Sequence, residues 1–366
     1  MKPMVASIDE HYMRRTFELA RKAEGKTSPN PMVGCVLVKK GKVIAEGYHK
    51  KAGSAHAEIA ALQKAGPKAR GATLYVSLEP CCHHGRTDPC VDPVIASGVR
   101  RVVIAIRDPN PLVRGRSIRR LKAAGIMVKC GVLAREAERL NEVFFTNMKY
   151  KRPFVAAKAA QTLDGKIASP GGESKWITAS ASRRRARSLR GRYDAILVGA
   201  GTALKDNPSL DTAYKRLVKV IIDPDLKLSP ESKLFPNARS VFLISKKSVS
   251  ARHKGQFDRK AEIIPLASGP KGFSLRQVLA ALYRKGVTSL FVEGGSATLG
   301  GFFDQKLVDK LYIFIAPKIM GKSEGLDTIG GCGPIKINCL TELKDLTIEK
   351  IGSDYFVTGY PCFAGG

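Results

Sequence analysis

The sequence predicts two successive α/β domains, and three observations carry that expectation. At 366 residues the chain is long for one hydrophobic core and fits two comfortably. Short β-rich runs alternate with helix-period segments through both halves, which implies mostly parallel sheets covered by helices on both faces. The alternation stops once, at the basic, proline-containing stretch KYKRP (149–153), and then restarts. The expected domains are therefore 1–150 and 151–366. Hydrophobic residues make up 44% of the chain, so each part has the material for an ordinary core.

Taken in order, Ile8 to Ala23 has a helical period, with Ile8, Met13, Phe17 and Ala20 near one side and Ser7 or Asp9 available as a cap. The prolines of GKTSPNP then force an extended loop. Runs 33–38 and 42–45 flank the turn Lys39, Lys40, Gly41 and read as a hairpin. A helix is expected over 55–65 with His56 and Glu58 in its first turn, where the positive end of the helix favours an ionised carboxylate. Strand 73–77 delivers Glu79, Pro80 and Cys81 at its carboxyl end, where open α/β sheets place ligands. Val91 to Ser97 makes a short helix with Cys90 at its start, and helix N-termini stabilise thiolates. Strand 101–106, helix 115–124, strand 126–130 and one long helix over 134–148 complete the first domain. The second is expected to hold strands near 153–160, 194–198, 218–222, 240–244, 289–293 and 310–316, with helices near 179–190, 274–285 and 296–304.

The net charge of +30 is not confined to a tail: residues 1–150 hold 27 basic and 13 acidic side chains, and 151–366 hold 35 and 19. An excess spread this evenly fits solvated surface, a nucleic-acid partner, or anionic small substrates drawn in by long-range attraction. The dense run Arg183 to Arg192 reads as a helix with a basic face. No stretch approaches the roughly 20 apolar residues of a membrane span, and MKPMVASIDE has no signal-peptide core. Eight cysteines without a secretory signal point to reduced thiols in a cytoplasm, with no disulfides.

The densest chemistry lies in EPCCHHGRTDPC (79–90), which follows His-Ala-Glu at 56–58. Zinc deaminases of nucleobases hold their metal with one histidine and two cysteines and move protons with a glutamate that is not a ligand. Their signature is H-x-E followed by P-C-x-x-C. His56 and Glu58 supply the first half, but the partner of Cys81 would fall at 84, which is histidine; the next cysteine with a comparable setting is Cys90. His56, Cys81 and Cys90 would leave a fourth tetrahedral position open, as catalytic zinc requires. The competing reading is a closed four-ligand structural zinc knot within the loop, with Glu58 as a surface carboxylate. Cys82, His83 and His84 are ambiguous between ligand and packing roles.

TSPNP (28–32), GYH (47–49), HAE (56–58), EPC with HHGRT (79–87) and DPNP (108–111) resemble the deaminase half of the bifunctional riboflavin-biosynthesis pyrimidine deaminase and uracil reductase family. In that family the two zinc cysteines are separated by eight residues, which accounts for Cys81 and Cys90. LDGKIA (163–168), ESKWIT (173–178), GAGTALKDNPSL (199–210) and VEGG (292–295) resemble its reductase half. The resemblance runs in order from about 8 to 360. It implies a cytidine-deaminase-like α/β/α domain followed by a dihydrofolate-reductase-like α/β domain. The first would deaminate a diaminopyrimidinone ribosylamine phosphate with Zn2+, and the second would reduce the opened ribose with NADPH. Glu58 would move the proton, and Asn30, His49, Arg86, Asp108 and Asn110 would hold base and ribose phosphate. Ala160, Trp176, Thr202 and Asp206 would line the dinucleotide, and Ser174, Arg190, Leu210 and Glu293 the substrate.

No G-x-G-x-x-G opens a dinucleotide unit, so composition alone would not reveal this cofactor. VEGGSATLG (292–300) is nevertheless a strand running into Gly294, Gly295 and a helix start at Ser296, Ala297 and Thr298, a backbone-amide site suited to phosphate. Lys158 and Asp206 are candidates for polar assistance at the reacting carbon. Trp176, the only tryptophan, reads equally well as a core residue. Two departures from the family pattern stand out. Asp88 precedes Pro89 where two prolines are usual, and Leu210 is followed by Asp211, Thr212 and Ala213 where the family tends to have Thr, a variable residue and Arg. Lys215 or Arg216 could reach the same phosphate. The rival readings are a nucleic-acid base deaminase, favoured by charge but disfavoured by the cysteine spacing and sparse aromatics, and a deaminase carrying a degenerate reductase domain. Partners are expected to be a small phosphorylated pyrimidine and further copies of the chain, without nucleic acid or membrane.

Overall fold

The structure is a computed structural model describing residues 7–83, 88–213, 215–250, 255–257, 259–270, 272–321, 324–333 and 336–363. It divides into two compact units, Met1–Lys151 and Arg152–Gly366. Among the described residues, no helix is long and apolar enough to cross a membrane.

The first unit runs α1 (Ile8–Arg21), β1 (Gly34–Lys39), β2 (Lys42–Tyr48), α2 (Ala57–Ala65), β3 (Thr73–Val76), α3 (Val91–Ala96), β4 (Arg101–Ile104), α4 (Arg116–Ala123), β5 (Met127–Cys130), α5 (Ala134–Leu140) and α6 (Glu142–Tyr150). Its sheet has the order β2-β1-β3-β4-β5. β1 is antiparallel to both neighbours, whereas β3, β4 and β5 are mutually parallel. Alternating side chains of β1 separate two cores. Cys35 and Leu37 pack with Ala57 and Ala61 of α2, Val91 of α3 and Leu121 of α4; Val36 and Val38 pack with Met13 and Phe17 of α1 and Leu140 of α5. Full burial of each large apolar side chain stabilises by roughly 1.5–3 kcal/mol, so α1 is fixed mainly by Tyr12, Met13, Phe17 and Leu19. Asp9, almost wholly buried, is bound bidentately by Arg101 and also by Lys129 and Tyr75. The Arg101 hydrogen bonds outweigh burial and hold its carboxyl far below the usual range.

Where the sequence predicts one helix over 134–148, the chain forms two, parted at Asn141. The buried Asn141 side chain bonds both backbone groups of Met32: its Oδ1 accepts from N–H at 2.8 Å and its Nδ2 donates to C=O at 2.9 Å. That tie turns the chain between α5 and α6. Cys90 is the N-cap of α3 and His56 that of α2, so each metal-type residue sits one place before its helix.

The second unit runs β6 (Phe154–Gln161), β7 (Lys166–Ala168), α7 (Ser180–Arg190), β8 (Ala195–Gly199), α8 (Ala200–Asp206), β9 (Val218–Ile222), β10 (Ser240–Lys246), α9 (Lys247–Ser250), β11 (Glu262–Leu266), β12 (Ser268–Gly269), β13 (Gly272–Phe273), α10 (Leu275–Arg284), β14 (Ser289–Val292), α11 (Ser296–Asp304), β15 (Lys310–Ile315), β16 (Leu326–Asp327), β17 (Glu342–Ile351) and β18 (Asp354–Cys362). Nine strands form one sheet in the order β11-β10-β9-β8-β14-β6-β15-β18-β17, parallel from β11 to β15 and antiparallel through β18 and β17. β7 with β16 and β12 with β13 make two short ribbons. α10 buries Leu275, Val278, Leu279 and Leu282 at helical spacing against the face carrying Val155, Ala157, Leu197 and Val220. α7 buries only Ser182, Ala186 and Leu189. β8, β14 and β6 are neighbours, and all three end on the same edge, the carboxyl edge of a parallel sheet.

A candidate metal centre and a candidate cofactor cleft

In the first unit, Gly47 of β2 sets the position of α2. A Cβ there would run into the Ala57 carbonyl, so only glycine lets the first turn of α2 lie directly on the strand. That turn holds His56 and Glu58, while Cys81 follows β3 and Cys90 precedes α3. The donor atoms of His56, Cys81 and Cys90 all lie within 4.8 Å of one another. His56 Nδ1 is 2.8 Å from Cys90 Sγ and 3.5 Å from Cys81 Sγ, and the Cys90 backbone N–H donates to Cys81 Sγ at 3.2 Å. The three compete for one proton set. Cys81 is pulled down to about 4 by the Cys90 thiol, and against its burial by His56, while the Cys81 thiolate and burial drive Cys90 up. His56 is raised, chiefly by its bond to Cys81. One imidazole and two sulfurs suit zinc rather than the oxygen-seeking Mg2+ or Ca2+.

Glu58 is 4% exposed, and burial followed by the charge of Cys81 pushes its carboxyl up to about 7. Cys82 turns away from the cluster and donates to the Leu112 carbonyl at 3.6 Å, packing against the core. His83 Nδ1 is buried with no partner among the described residues. Asp88 is exposed. His84 and Arg86 lie outside the described residues.

His49 is buried and its ring meets the His56 ring edge-on at 5.4 Å. Burial lowers its pKa, and Nδ1 lies 3.2 Å from the Ala55 carbonyl while Nε2 faces the Asn30 amide nitrogen at 3.1 Å. A neutral ring that donates from Nδ1 and accepts at Nε2 satisfies both contacts. Asp108, also buried, is raised to about 7 by burial, and its Oδ1 accepts from the Asn110 N–H at 2.8 Å. Asn110 Oδ1 accepts in turn from Leu112 N–H at 3.1 Å. The loop is anchored by a residue that the sequence places at a strand end without assigning it a role. Glu79 is 3% exposed and accepts from the N–H groups of Asp108, Gly115 and Ile118 at 3.3, 3.0 and 3.4 Å, joining β3 to the loop before α4.

The second unit holds a cavity of about 1740 Å³ at the carboxyl edge of β6, β8 and β14. Lys158, Ala160, Ser174, Trp176, Arg190, Thr202, Asp206, Leu210, Glu293, Gly294, Gly295, Ser296, Ala297 and Thr298 all line it. Trp176 is 61% exposed, which excludes the core reading, and the Arg183 guanidinium stacks on its ring at 4.4 Å. Asp206 ends α8 and pairs with Lys175 at 3.3 Å. Glu293 is gripped by two cations: Arg190 Nε and Nη2 donate to its two oxygens at 2.6 and 3.0 Å, and Lys158 Nζ lies at 3.8 Å. Burial alone would raise its carboxyl, but Arg190 and Lys158 outweigh it and hold the group low.

Two cavity-lining glycines are not required by the protein's own packing. A Cβ on Gly295 would meet only Thr202 Oγ1, at 3.5 Å, and one on Gly201 would meet nothing within 4 Å. Neither has a positive φ. Gly294 differs, since a Cβ there would collide with Thr298. Space kept open beside backbone at the starts of α8 and α11, on neighbouring parallel strands, fits the close approach of a dinucleotide phosphate. Gly201 was not singled out from sequence, although the strand-to-glycine-to-helix step at 199–202 repeats that at 293–298.

Comparison with known proteins follows the same division. Residues 6–106 match the cytidine and deoxycytidylate deaminase zinc-binding region, and residues 153–357 match the RibD C-terminal domain. The riboflavin biosynthesis protein RibD of Aquifex aeolicus is 43% identical over 97% of this chain and 99% of its own length, and that of Escherichia coli 38% identical over 94% and 97%. The crystal structure of a diaminohydroxyphosphoribosylaminopyrimidine deaminase/5-amino-6-(5-phosphoribosylamino)uracil reductase from Thermotoga maritima has a TM-score of 0.86 at 40% identity, covering 97% of this chain and 99% of that one. The chain therefore belongs to the RibD family, the bifunctional deaminase/reductases of riboflavin biosynthesis.

Proposed function

We propose that the first domain deaminates 2,5-diamino-6-(5-phosphoribosylamino)pyrimidin-4-one and that the second reduces the ribosyl chain of the product with NADPH. The observation that carries the reading is the convergence of His56, Cys81 and Cys90 within 4.8 Å beside a buried glutamate. Those three hold Zn2+, and Cys82 does not. When bound, zinc acidifies a water molecule and NADPH supplies a hydride. Everything else falls to the chain. Glu58 moves both protons of the attacking water in turn at its carboxylate, the first to the ring nitrogen and the second to the departing amine, which leaves as ammonia. His49, by accepting from the Asn30 amide, aims the Asn30 carbonyl oxygen at the donor edge of the base. Asp108 and Asn110 stiffen the facing loop and, with Arg86, complete the substrate contacts.

In the second domain Gly294, Gly295, Ser296, Ala297 and Thr298 receive a cofactor phosphate at the start of α11, with Ala160, Trp176, Thr202 and Asp206 along the dinucleotide. Ser174, Arg190, Leu210 and Glu293 border the substrate. Lys158, held by Glu293, is the group with a proton to give where the hydride arrives, and Asp206 assists. A cytoplasmic location suits eight cysteines spread through a long chain, since thiols stay reduced there. The exposed edge strand β17, with Leu346 and Ile348 open to solvent, fits assembly with further copies. Purified protein given the diamino substrate should release ammonia, and addition of NADPH should then lead to its oxidation. Ammonia release without NADPH oxidation would leave a deaminase with an idle second domain.

A further inference from the structure

One wall of the cleft is α7, which presents Arg183, Arg184, Arg187 and Arg190 to it yet buries only Ser182, Ala186 and Leu189. Leu189 is its single large apolar anchor, so burial holds the helix weakly, and like charges one turn apart add repulsion. Two carboxylates secure its ends instead. At the last turn, Glu293 pairs with Arg190 Nε at 2.6 Å. At the first turn the N-cap residue is Ala179, whose side chain offers no acceptor to the free N–H groups. The acceptor comes from 175 residues further along the chain: Asp354 Oδ2 takes the Ala179 N–H at 2.7 Å and the Ser182 hydroxyl at 2.6 Å, while Ser353 Oγ donates to Oδ1 at 3.1 Å. Asp354 is 1% exposed, although β17 beside it lies open to solvent along nearly its whole length. A carboxylate is buried at a penalty unless donors meet its oxygens, and the positive end of a helix suits its charge. The hairpin is shaped for this contact. Ile351 pairs with Asp354 across the turn Gly352-Ser353, and Gly352 has the positive φ, +62°, that such a turn needs at its first place. A Cβ on Gly352 would lie 3.7 Å from that of Ala181, so the turn rests on the start of α7. Because β18 is antiparallel to β15 and Tyr355 faces Ile315, Asp354 stands at the carboxyl edge of the parallel strands, behind the cleft wall.

What this tie controls is Trp176. Its ring is largely exposed, so burial does little to orient it, and polar contacts do so instead. The Arg183 guanidinium covers the ring at 4.4 Å while Nη1 donates to the Thr178 carbonyl at 2.6 Å, and Lys318 Nζ donates to the Trp176 carbonyl at 3.1 Å. Arg183 directly follows Ser182, so the direction of its side chain is set by the turn that Asp354 holds. We propose that Asp354 is a positioning residue of the cleft: by tying the start of α7 to β18 it sets Arg183, and through Arg183 the indole of Trp176, along the path of the dinucleotide. The inference rests on the reading that Trp176 borders NADPH. A cap supplied by the chain of α7 itself would stabilise the helix without tying it to β18, and this separates positioning from simple capping.

Trp176 is the only tryptophan, so tryptophan emission of the whole protein, read without cofactor, reports this ring alone. Asp354→Asn keeps the volume and removes the charge. It should move the emission toward that of Arg183→Gln and raise KM for NADPH about 3- to 5-fold, the scale of one exposed cation–π contact, with kcat unchanged and the same rise in Kd by calorimetry. Adding Ala179→Ser gives α7 a cap of its own, at a residue already extended with φ −67° and ψ 164°. The melting temperature should then match wild type while emission and KM stay shifted. Return of all three to wild type would make Asp354 a helix cap only and overturn the proposal, as would unmoved emission in Asp354→Asn. Asp354→Asn combined with Arg183→Gln should raise KM no further than Arg183→Gln alone, because both break one chain of contacts; additive rises overturn the proposal. Should Asp354→Asn fail to fold, Ser182→Ala removes one of the two bonds to α7 and is judged by the same outcomes. Emission that shifts as expected in a protein whose wild type binds no NADPH would keep the tie to Trp176 and overturn the cofactor reading of the cleft.

Discussion

In the first domain the chemistry converges on three donor atoms within 4.8 Å of one another, carried by residues on either side of two helix starts and one strand end. In the second it is spread around a cavity of about 1740 Å³ whose candidate residues run from Lys158 to Thr298. The difference follows from what the proposed function asks each site to hold. A metal ion is small and demands a fixed set of donor atoms at short range, so a single side chain there is irreplaceable. A dinucleotide is long, and its binding is shared among backbone amides, open glycines and charged side chains. Substitutions should therefore act all-or-none in the first domain and by degrees in the second.

The largest effect is expected at the cysteines. Outer-sphere partners of a metal typically account for 10–100-fold in affinity, so Cys81→Ser or Cys90→Ser should cost more than about 10²-fold and leave purified protein with background zinc. Cys82→Ser, whose thiol faces the Leu112 carbonyl, should retain a full complement by metal analysis. Loss of zinc from Cys82→Ser alone would mean that the ligand set is misassigned.

Glu58 separates proton transfer from metal holding within the same few ångströms. Glu58→Gln preserves volume, so zinc content should persist while deamination falls by ~10²- to 10⁴-fold, the range for a positioned acid-base group. NADPH oxidation with deaminated substrate should be unchanged. Near-normal ammonia release would transfer the role to another group, with buried Asp108 the first to examine.

This contrast also governs what could be read from the sequence. The convergence of His56, Cys81 and Cys90 was legible because a zinc reading dictates residue types, and the three lie in two short stretches with few alternatives. The strands of the second sheet were legible from their apolar runs, but α8, β11 and the β17–β18 hairpin were not expected. β17 is exposed along nearly its whole length and offers no alternation to read. The break at Asn141 was invisible for another reason: the helical period runs through it, and the deciding contact is with Met32, 109 residues away. Lys219 sits in a correctly placed strand, yet only the fold shows that it is buried and clamped by Asp211.

Glu293 tests whether the second site is as tolerant as its spread suggests. Among the described residues it is the one carboxylate that pairs with both Arg190 and Lys158, and its removal leaves two cations without their shared partner in a largely buried setting. Glu293→Gln should destabilise the domain by about 3 kcal/mol, the usual scale for breaking a buried pair, measured by denaturant unfolding at neutral pH. The carboxyl is held below its unfolded value, so its contribution is complete above the ordinary glutamate range and disappears as pH falls through the lowered folded value. The gap between wild type and variant should accordingly narrow in acid. A gap that persists unchanged below that range would assign the loss to packing rather than charge.

The smallest effect should separate ligand space from protein packing at neighbouring glycines. Gly295 has an ordinary negative φ of −71°, and a Cβ would find only Thr202 Oγ1 at 3.5 Å, so the folded chain has room for alanine. Gly294 does not, because its Cβ would collide with Thr298. Gly295→Ala should shift unfolding free energy by less than about 1 kcal/mol, the scale of an N-cap change, yet raise KM for NADPH several-fold, with a larger rise for Gly295→Val. Gly294→Ala should show the reverse order, with stability falling first. If Gly295→Val binds NADPH as wild type does, the open space at the start of α11 holds no cofactor phosphate. The equivalent space at Gly201, where a Cβ meets nothing within 4 Å, becomes the next position to fill.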